Sequence, residues 1–472
     1  MDIVHVSAEC YPVAKAGGLG DVVGALPKYQ IKLGHTAKVV MPMYRTKFLT
    51  THEWEVVHEG YQNLAAYNFK YAVIREKNNT LGFELYLVDI YGLLDRDRVY
   101  GYDDDTDRFV AFQIAVCDWM SVWSQKPNLI HCHDHHTGLI PFMVRYCFAF
   151  QSLAGVPTVF TIHNGQYQGQ FAWSRSALLP AYDTYKWGLL EWDNNINPLA
   201  SAVKCAWKVT TVSPSYLDEL RYQAAGLEDL MQYERGKCVG ILNGIDNDFW
   251  NPSTDTYLEH NYDEHNVKEG KRLNKKALCE TFGLDADKPL FTFIGRLVGE
   301  KAADVLPDAI RSSIYHHHGN ASFLILGSGE TDVENRLLEI KHQFGGFVNT
   351  YIGYNEALAH QIYAGADFLL MPSRVEPCGL NQMYALRYGT VPMVRSTGGL
   401  KDTVKDFGDW QGFGIRFNHA DAGDVTHAVG RAIDLYYNKR DLYNWMRSYM
   451  MHIDHSWEAS AQAYMSLYEG LQ

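Results

Sequence analysis

Four short stretches carry side chains whose types and spacing suit a phosphorylated ligand. The first, Lys15-Ala16-Gly17-Gly18-Leu19-Gly20-Asp21, stands between an apolar strand-like run at residues 3–8 and a helix-like run at 22–29. Glycines let the backbone approach an anion, and a helix N-terminus aims N–H groups and a positive dipole end at it. Lys15 adds a full positive charge. The dinucleotide fingerprint is not met. Val23 stands where a third glycine belongs, and the next strand ends in Pro42-Met43 with no acid for a ribose. The stretch points to a phosphorylated ligand and away from a nicotinamide cofactor.

The other three stretches lie in the second half. A strand at 290–294 runs into Gly295-Arg296-Leu297, with Lys301 five residues after Arg296. Two cations at the carboxyl end of a parallel strand are placed to neutralise a diphosphate. A strand at 391–394 runs into Ser396-Thr397-Gly398-Gly399-Leu400, a second hydroxyl-and-glycine turn opening a helix. Between them lies Pro372-Ser373-Arg374-Val375-Glu376-Pro377-Cys378-Gly379-Leu380. Glu376, held between prolines at a strand end, has the setting of a functional loop residue.

Histidines crowd the end of another strand, His131-Cys132-His133-Asp134-His135-His136. Strand alternation is expected to split these side chains between faces, and the pair lacks a defined third ligand, so no metal site is expected. Thr161-Ile162-His163-Asn164-Gly165 ends the next strand and continues into Gln166-Tyr167-Gln168-Gly169. Asp103-Asp104-Asp105 reads as a solvated acidic loop, and His316-His317-His318 as an exposed helix end.

These turns need elements to hold them. Short β-branched or aromatic runs alternate with helical periodicity along the chain, at residues 3–8, 37–41, 85–88, 129–131, 158–162 and 209–212. A second series follows at 290–294, 322–326, 350–352, 368–371 and 391–394. The alternation predicts an α/β fold with parallel sheets covered by helices on both faces. Turn signals cluster at 243–256, and a basic helix is expected over 267–282. The expected division is 1–243, 244–455 and a C-terminal helix within 456–472. In that helix Ser456 is the expected N-cap, and Trp457, Ala461, Tyr464, Tyr468 and Leu471 share one face, which can pack on its own domain or cross back to the first.

Composition narrows the function classes. The 472 residues exceed one core. With 42 Lys and Arg against 55 Asp and Glu, the net charge is −13, which argues against nucleic acid and against an anionic membrane surface. No run approaches the ~20 apolar residues of a membrane span. Asp2 stands in the first strand, so no secretory leader is expected. The eight cysteines form no Cys-x-x-Cys pair and read as reduced thiols in a cytoplasmic protein. The 31 tyrosines suit packing and, at an exposed site, sugar faces.

Taken together, the turns resemble those of the bacterial glycogen synthase and plant starch synthase family. The matching residues are Lys15 to Val22, His133-Asp134, His163-Asn164 with Tyr167-Gln168-Gly169, Asn243-Gly244-Ile245-Asp246, Gly295-Arg296-Leu297 with Lys301, Ile352-Gly353-Tyr354, Ser373 to Leu380 and Thr397 to Leu400. They occur in the family's order over almost the whole chain. The resemblance implies two facing Rossmann-like domains with a deep cleft, the GT-B fold. It implies a retaining glucosyltransferase that moves glucose from ADP-glucose to the non-reducing end of an α-1,4-glucan and needs no cofactor or metal. Carried over, Arg296 and Lys301 bind the diphosphate, with Lys15, Gly17, Gly18 and Asp21 facing it from the other domain. Cys378, Gly379, Leu380, Thr397, Gly398 and Gly399 complete the donor site, and Tyr354 stacks on the base. His163, Asn243 and Glu376 surround the glucose; Asp134, Asn164 and Tyr167 lie on the acceptor side.

The sequence departs from the family in three places. Glu300-Lys301-Ala302 replaces Gln-Lys-Gly, His135 replaces an aromatic, and residues 53–98 match poorly. A GT-B enzyme using UDP-glucose or a small acceptor, a sugar-nucleotide epimerase, and a non-catalytic glucan binder are the alternatives. Oligomeric state is left open.

Overall fold

A computed structural model describes all 472 residues. The chain divides into two compact units, Met1–Gly244 with Trp457–Gln472, and Ile245–Ser456.

The first unit is built on a nine-stranded sheet. Its strands are β1 (Asp2–Val6), β2 (Thr36–Pro42), β3 (Trp54–Leu64), β4 (Tyr67–Glu76), β5 (Glu84–Asp89), β6 (Leu129–His133) and β7 (Thr158–Ile162). After a small antiparallel sheet of β8 (Phe171–Ala172), β9 (Glu191–Trp192) and β10 (Asn195–Ile196) come β11 (Lys208–Thr211) and β12 (Cys238–Gly240). The spatial order is β12-β11-β7-β6-β1-β2-β5-β4-β3. The first seven are parallel, and those from β7 to β5 are largely buried and apolar, as strands covered on both faces must be.

The sheet is not parallel throughout. β3 and β4 form a long antiparallel hairpin on its edge, within residues 53–98. Most of the β3 side chains are exposed or half-buried, so its sequence lacks the apolar run that marks the buried strands. The exposed Lys and Glu side chains of this hairpin suit an edge strand, where they discourage further pairing.

The C-terminal helix Trp457–Glu469 packs on the first unit. Trp457, Ala461, Tyr464, Met465 and Tyr468 are buried against Ile3, Val22, Leu26, Leu129 and Val159. Burying each large side chain contributes about 1.5–3 kcal/mol, enough to tie this helix to the sheet across hundreds of residues of sequence. The expected Ser456 cap is not made. Its side chain lies instead by the Asp454 carboxylate, which accepts the Ser456 N–H at 2.8 Å.

The second unit carries a six-stranded parallel sheet of β13 (Leu290–Ile294), β14 (Ser322–Gly327), β15 (Val348–Ile352), β16 (Phe368–Met371), β17 (Val391–Arg395) and β18 (Ile415–Phe417). The order β15-β14-β13-β16-β17-β18 is that of a doubly wound sheet, with apolar cores on both faces. The helix Val267–Phe282 forms as the sequence predicts and ends at Gly283, whose φ of 64° closes it in the left-handed conformation. Two of its lysines turn inward. Lys275 pairs with Asp367 at 2.8 Å, and Lys271 donates to the Tyr363 and Ala364 carbonyls and to Thr390. No helix of the chain is long and apolar enough to cross a membrane.

Candidate active site

In a doubly wound sheet, ligands bind beyond the carboxyl ends of the strands where the strand order reverses. The reversal lies between β1 and β6 in the first unit, and between β13 and β16 in the second. Lys15, Asp134, Arg296, Lys301 and Glu376 come from loops at these two points, while His163, Asn243, Tyr354 and Thr397 follow β7, β12, β15 and β17.

In the second unit, Arg296 and Lys301 follow β13 and Glu376 follows β16. Lys301 Nζ lies 2.7 Å from both Glu376 carboxylate oxygens, and Ser373 Oγ donates to Glu376 Oε2 at 2.8 Å. Glu376 is 6% exposed, so its charge is stabilised by these partners rather than by water. The Arg296 side chain is 60% exposed, and its one ion pair, to Glu300, is long at 3.4 Å. It is therefore available to an anion. The Glu376 loop is braced from below. Arg374 forks onto Asp304 at 2.6 and 2.9 Å and reaches the Gly299 carbonyl, while Arg395 donates to the Arg374 carbonyl at 3.0 Å.

The Thr397-Gly398-Gly399 turn is used differently from a simple phosphate cradle. The Gly399 N–H donates to the Glu376 and Pro377 carbonyls, both at 3.1 Å. A Cβ on Gly398 would lie 2.0 Å from the Glu376 carbonyl oxygen, and its φ is 48°. The glycines thus let the helix Gly398–Thr403 press against the Glu376 loop, and the Gly399 N–H is committed to that loop rather than pointed at an anion. Cys378 is buried, and Gly379 has a φ of 74° ahead of Leu380 and the next helix. Tyr354 is 78% exposed just beyond β15, with its ring open to a base. Ala302, in the family's glycine position, adopts φ 52° and is fully buried.

In the first unit, the Lys15 turn folds onto an internal acid. Glu9 Oε2 accepts the N–H groups of Ala16 and Gly17 at 2.7 and 2.9 Å, and Oε1 accepts the Tyr100 hydroxyl at 2.6 Å. The Gly17 N–H is therefore already donated within the fold, which corrects the expectation that it faces a phosphate. The helix Gly18–Lys32 that follows has no side-chain cap. Lys15, 43% exposed, pairs with Asp21 at 2.7 Å. Glu9 and Tyr100 carry no sequence signal of their own; only the fold brings Tyr100 to the turn.

Asp134 ends β6 in a conformation that non-glycine residues rarely take, φ 59° and ψ 177°. Such strain costs about 1–3 kcal/mol and is kept where the surroundings demand it. Here the side chain accepts the His163 N–H at 2.7 Å, and burial pushes its carboxyl up to about 7. His163 is 8% exposed, and burial pushes its imidazole down to about 3. Asn164 Oδ1 accepts the Gln166 N–H at 3.0 Å, which turns the chain so that Tyr167 is 59% exposed. Asn243 is 7% exposed, and its Oδ1 is buried without a partner. Beside Gln168 lies an open recess of about 560 Å³ lined by Gln170, Glu191, Trp192, Asn195 and Asn197.

The histidines are not split between faces as expected. His131 and His133 are two residues apart, and period-two alternation places them on one face. His5 joins them from β1, in register with His131. Ligand atoms of the three lie within 4.8 Å of one another. All six ring nitrogens nevertheless have hydrogen-bond partners, namely Gln30, Tyr468, Thr161, His163 and a bond between His5 and His133. Coordinating a cation would break those bonds. The acidic run at 103–105 is also less solvated than expected, since Asp104 pairs with Arg96 and Asp105 with the fully buried Arg108.

Residues 2–233 match the family described as starch synthase catalytic domain, and residues 274–445 match glycosyl transferases group 1. A glycogen synthase of Flavobacterium johnsoniae is 52% identical over 99% of this chain and 98% of its own length. A glycogen synthase of Anoxybacillus flavithermus is 38% identical over 100% and 98%. Among solved structures, the catalytic domain of starch synthase IV from Arabidopsis thaliana, bound to ADP and acarbose, superposes with a TM-score of 0.88. Its identity is 32%, covering 100% of this chain and 99% of that one. A sucrose-phosphate synthase from Thermosynechococcus elongatus shares the fold at TM-score 0.64 and 17% identity, covering 99% and 98%. The chain belongs to the glycogen synthase and starch synthase family and is a glycosyltransferase of GT-B fold.

Proposed function

We propose that the chain extends an α-1,4-glucan at its non-reducing end with glucose from ADP-glucose, retaining the α configuration and releasing ADP. The observation that carries this reading is the group at the β13/β16 reversal. An exposed Arg296 stands there with Lys301, whose only anionic partner is Glu376. Breaking the anomeric C–O bond builds negative charge on the leaving diphosphate and positive charge on the sugar. Arg296 and Lys301 meet the first, and Lys15 assists; the Glu376 carboxylate meets the second. Both Glu376 oxygens are held by Lys301 and Ser373, which favours an orienting, charge-stabilising role over covalent attack.

Tyr354 stacks on the adenine, and the Cys378-Gly379-Leu380 and Thr397–Gly398 backbone lines the phosphate. His163 and Asn243 border the glucose. Asp134, Asn164 and Tyr167 receive the glucan. The ADP and acarbose bound by the Arabidopsis starch synthase IV catalytic domain support a nucleoside diphosphate and a glucan-like chain as ligands. The test incubates the protein with glycogen and either ADP-glucose or UDP-glucose, and follows nucleotide release and chain elongation. Elongation with ADP-glucose is the expected result. Faster transfer from UDP-glucose, or nucleotide release without elongation, would overturn the donor or the acceptor assignment respectively.

A further inference from the structure

A row of hydrogen bonds runs inward from His163 through groups that touch no substrate in the reading above. His163 Nε2 lies 3.0 Å from His133 Nδ1, His133 Nε2 lies 3.1 Å from His5 Nδ1, and His5 Nε2 lies 2.7 Å from Gln30 Oε1. The Gln30 amide nitrogen donates to the Tyr468 hydroxyl at 3.3 Å, and that hydroxyl lies 2.6 Å from His131 Nδ1. His5, His133, Gln30, His131 and Tyr468 are all fully buried. The row therefore has no water to exchange partners with.

A neutral imidazole has one donor nitrogen and one acceptor nitrogen. Burial pushes His5, His133 and His163 well down from the usual histidine range, so all three stay neutral. The proton positions then follow one from another. Gln30 Oε1 can only accept, so His5 carries its proton on Nε2 and accepts at Nδ1. His133 must donate from Nε2 and accept at Nδ1. His163 must in turn donate from Nε2, which leaves its Nδ1 a bare acceptor. The Tyr468 hydroxyl, donating to His131 and accepting from Gln30, holds the amide in the orientation that starts the row. A reversed amide would reverse every proton, and His163 would present a donor instead.

We propose that Gln30, His5 and His133 are positioning residues that fix His163 as its Nε2–H tautomer, so that Nδ1 accepts a hydrogen bond from a hydroxyl of the transferred glucose. The proposal rests on the reading that His163 borders that sugar. Tyr468 makes the C-terminal helix part of this device.

The test is nitrogen NMR on the full chain labelled with ¹⁵N-histidine, with the His163 signals assigned by their loss in His163→Gln. The expected spectrum shows Nε2 protonated and Nδ1 bare at neutral pH. A wrongly protonated catalytic histidine can cost up to ~10⁴ in turnover. Gln30→Met, close in size but with only a weak thioether acceptor and no donor, is expected to mix the His163 tautomers and lower kcat at least about tenfold, with the donor KM changed less than about twofold. Tyr468→Phe is expected to act in the same direction more weakly. A protonated Nδ1 in the wild type, or His163 signals unchanged in Gln30→Met, would overturn the proposal. If Gln30→Met does not fold, the wild-type spectrum decides alone. Absence of glucosyl transfer in the wild type would refute the functional reading instead, and the spectrum would still report the tautomer.

Discussion

The two units solve the same problem, a polar group at the carboxyl ends of parallel strands, by opposite means. The second unit keeps its site ionic and open, with Lys301 against Glu376 and Arg296 largely in solvent. The first, apart from its Lys15–Asp21 pair, keeps its strand-end groups neutral and closed, with His163 and the fully buried His5, His131 and His133 among hydrogen bonds. Full charges suit a leaving diphosphate, which is a strong anion whatever the exact geometry. Neutral imidazoles suit a sugar, whose hydroxyls are recognised by which nitrogen carries the proton. The difference is one of ligand chemistry written as burial.

The largest expected effect tests the ionic side. Arg296→Ala and Lys301→Ala each remove a cation from the leaving group and are expected to lower kcat by about 10²–10³, or ~2.7–4 kcal/mol. Arg296→Ala should leave thermal stability unchanged because the side chain is exposed. Lys301→Ala should also destabilise, since Glu376 would keep only Ser373. Wild-type turnover in either variant would remove the diphosphate assignment.

The next tests the neutral side by pH. Burial lowers the folded-state pKa of His5 to about 4 and of His163 to about 3, from 6.5, and also holds those of His131 and His133 well below the usual histidine range. Their contribution is fully present above 6.5 and is lost as pH falls toward 3–4, because the unfolded chain takes up protons that the fold refuses. Each contributes a slope of up to about 1.4 kcal/mol per pH unit in that window. Asp134, raised to about 7, and Asp89, also raised by burial, work the other way, but burial lowers His135 and His136 as well, so two acids oppose six histidines. In the second unit burial would lower His360, but the Asp255 carboxylate at 2.6 Å outweighs it and raises that imidazole, while burial lowers His455, so the two histidines oppose each other. Calorimetry between pH 7 and 5 is expected to show the first unit's transition falling while the second's holds. A first-unit transition that does not move would break the contrast.

A smaller effect is expected at the base. Stacking on an aromatic is worth about 1–3 kcal/mol, so Tyr354→Ala should raise the donor KM by roughly tenfold with kcat little changed. An unchanged KM would place the base elsewhere. The smallest concerns Ala302, at φ 52°. A left-handed residue with a Cβ costs about 1–2 kcal/mol, partly offset by the greater chain entropy of glycine. Ala302→Gly is expected to stabilise the second unit by up to about 1 kcal/mol without altering turnover. A loss of stability would mean that the buried methyl group packs well enough to outweigh the strain.

Much of this was readable in the residues. The buried parallel strands are short β-branched runs, and β7, β13 and β16 begin and end where those runs do. The edge hairpin β3–β4 was not readable, because β3 buries only its last residue and β4 only Tyr71, Val73 and Glu76, so neither carries the continuous apolar run of the central strands. Arg296, Lys301 and Glu376 announce themselves by type and by place at strand ends. Glu9, Gln30 and Tyr468 do not. They are ordinary residues of a loop and two helices until the sheet brings them to the glycine turn and the histidines.

By itself, the sequence determined the class of chemistry. Charged and hydroxyl side chains at strand ends, and glycines where backbones must approach, are local requirements that local residues meet. What only the tertiary structure decided is how each group is held. Strand order sets which loops meet at a reversal, and burial sets whether a histidine is an ion or a neutral hydrogen-bonding group. The Gly17 and Gly399 N–H groups are donated to Glu9 and to the Glu376 loop, contacts whose partners no spacing reveals. Partners and dielectric are properties of the packed chain, because they depend on what residues distant in sequence place around each atom.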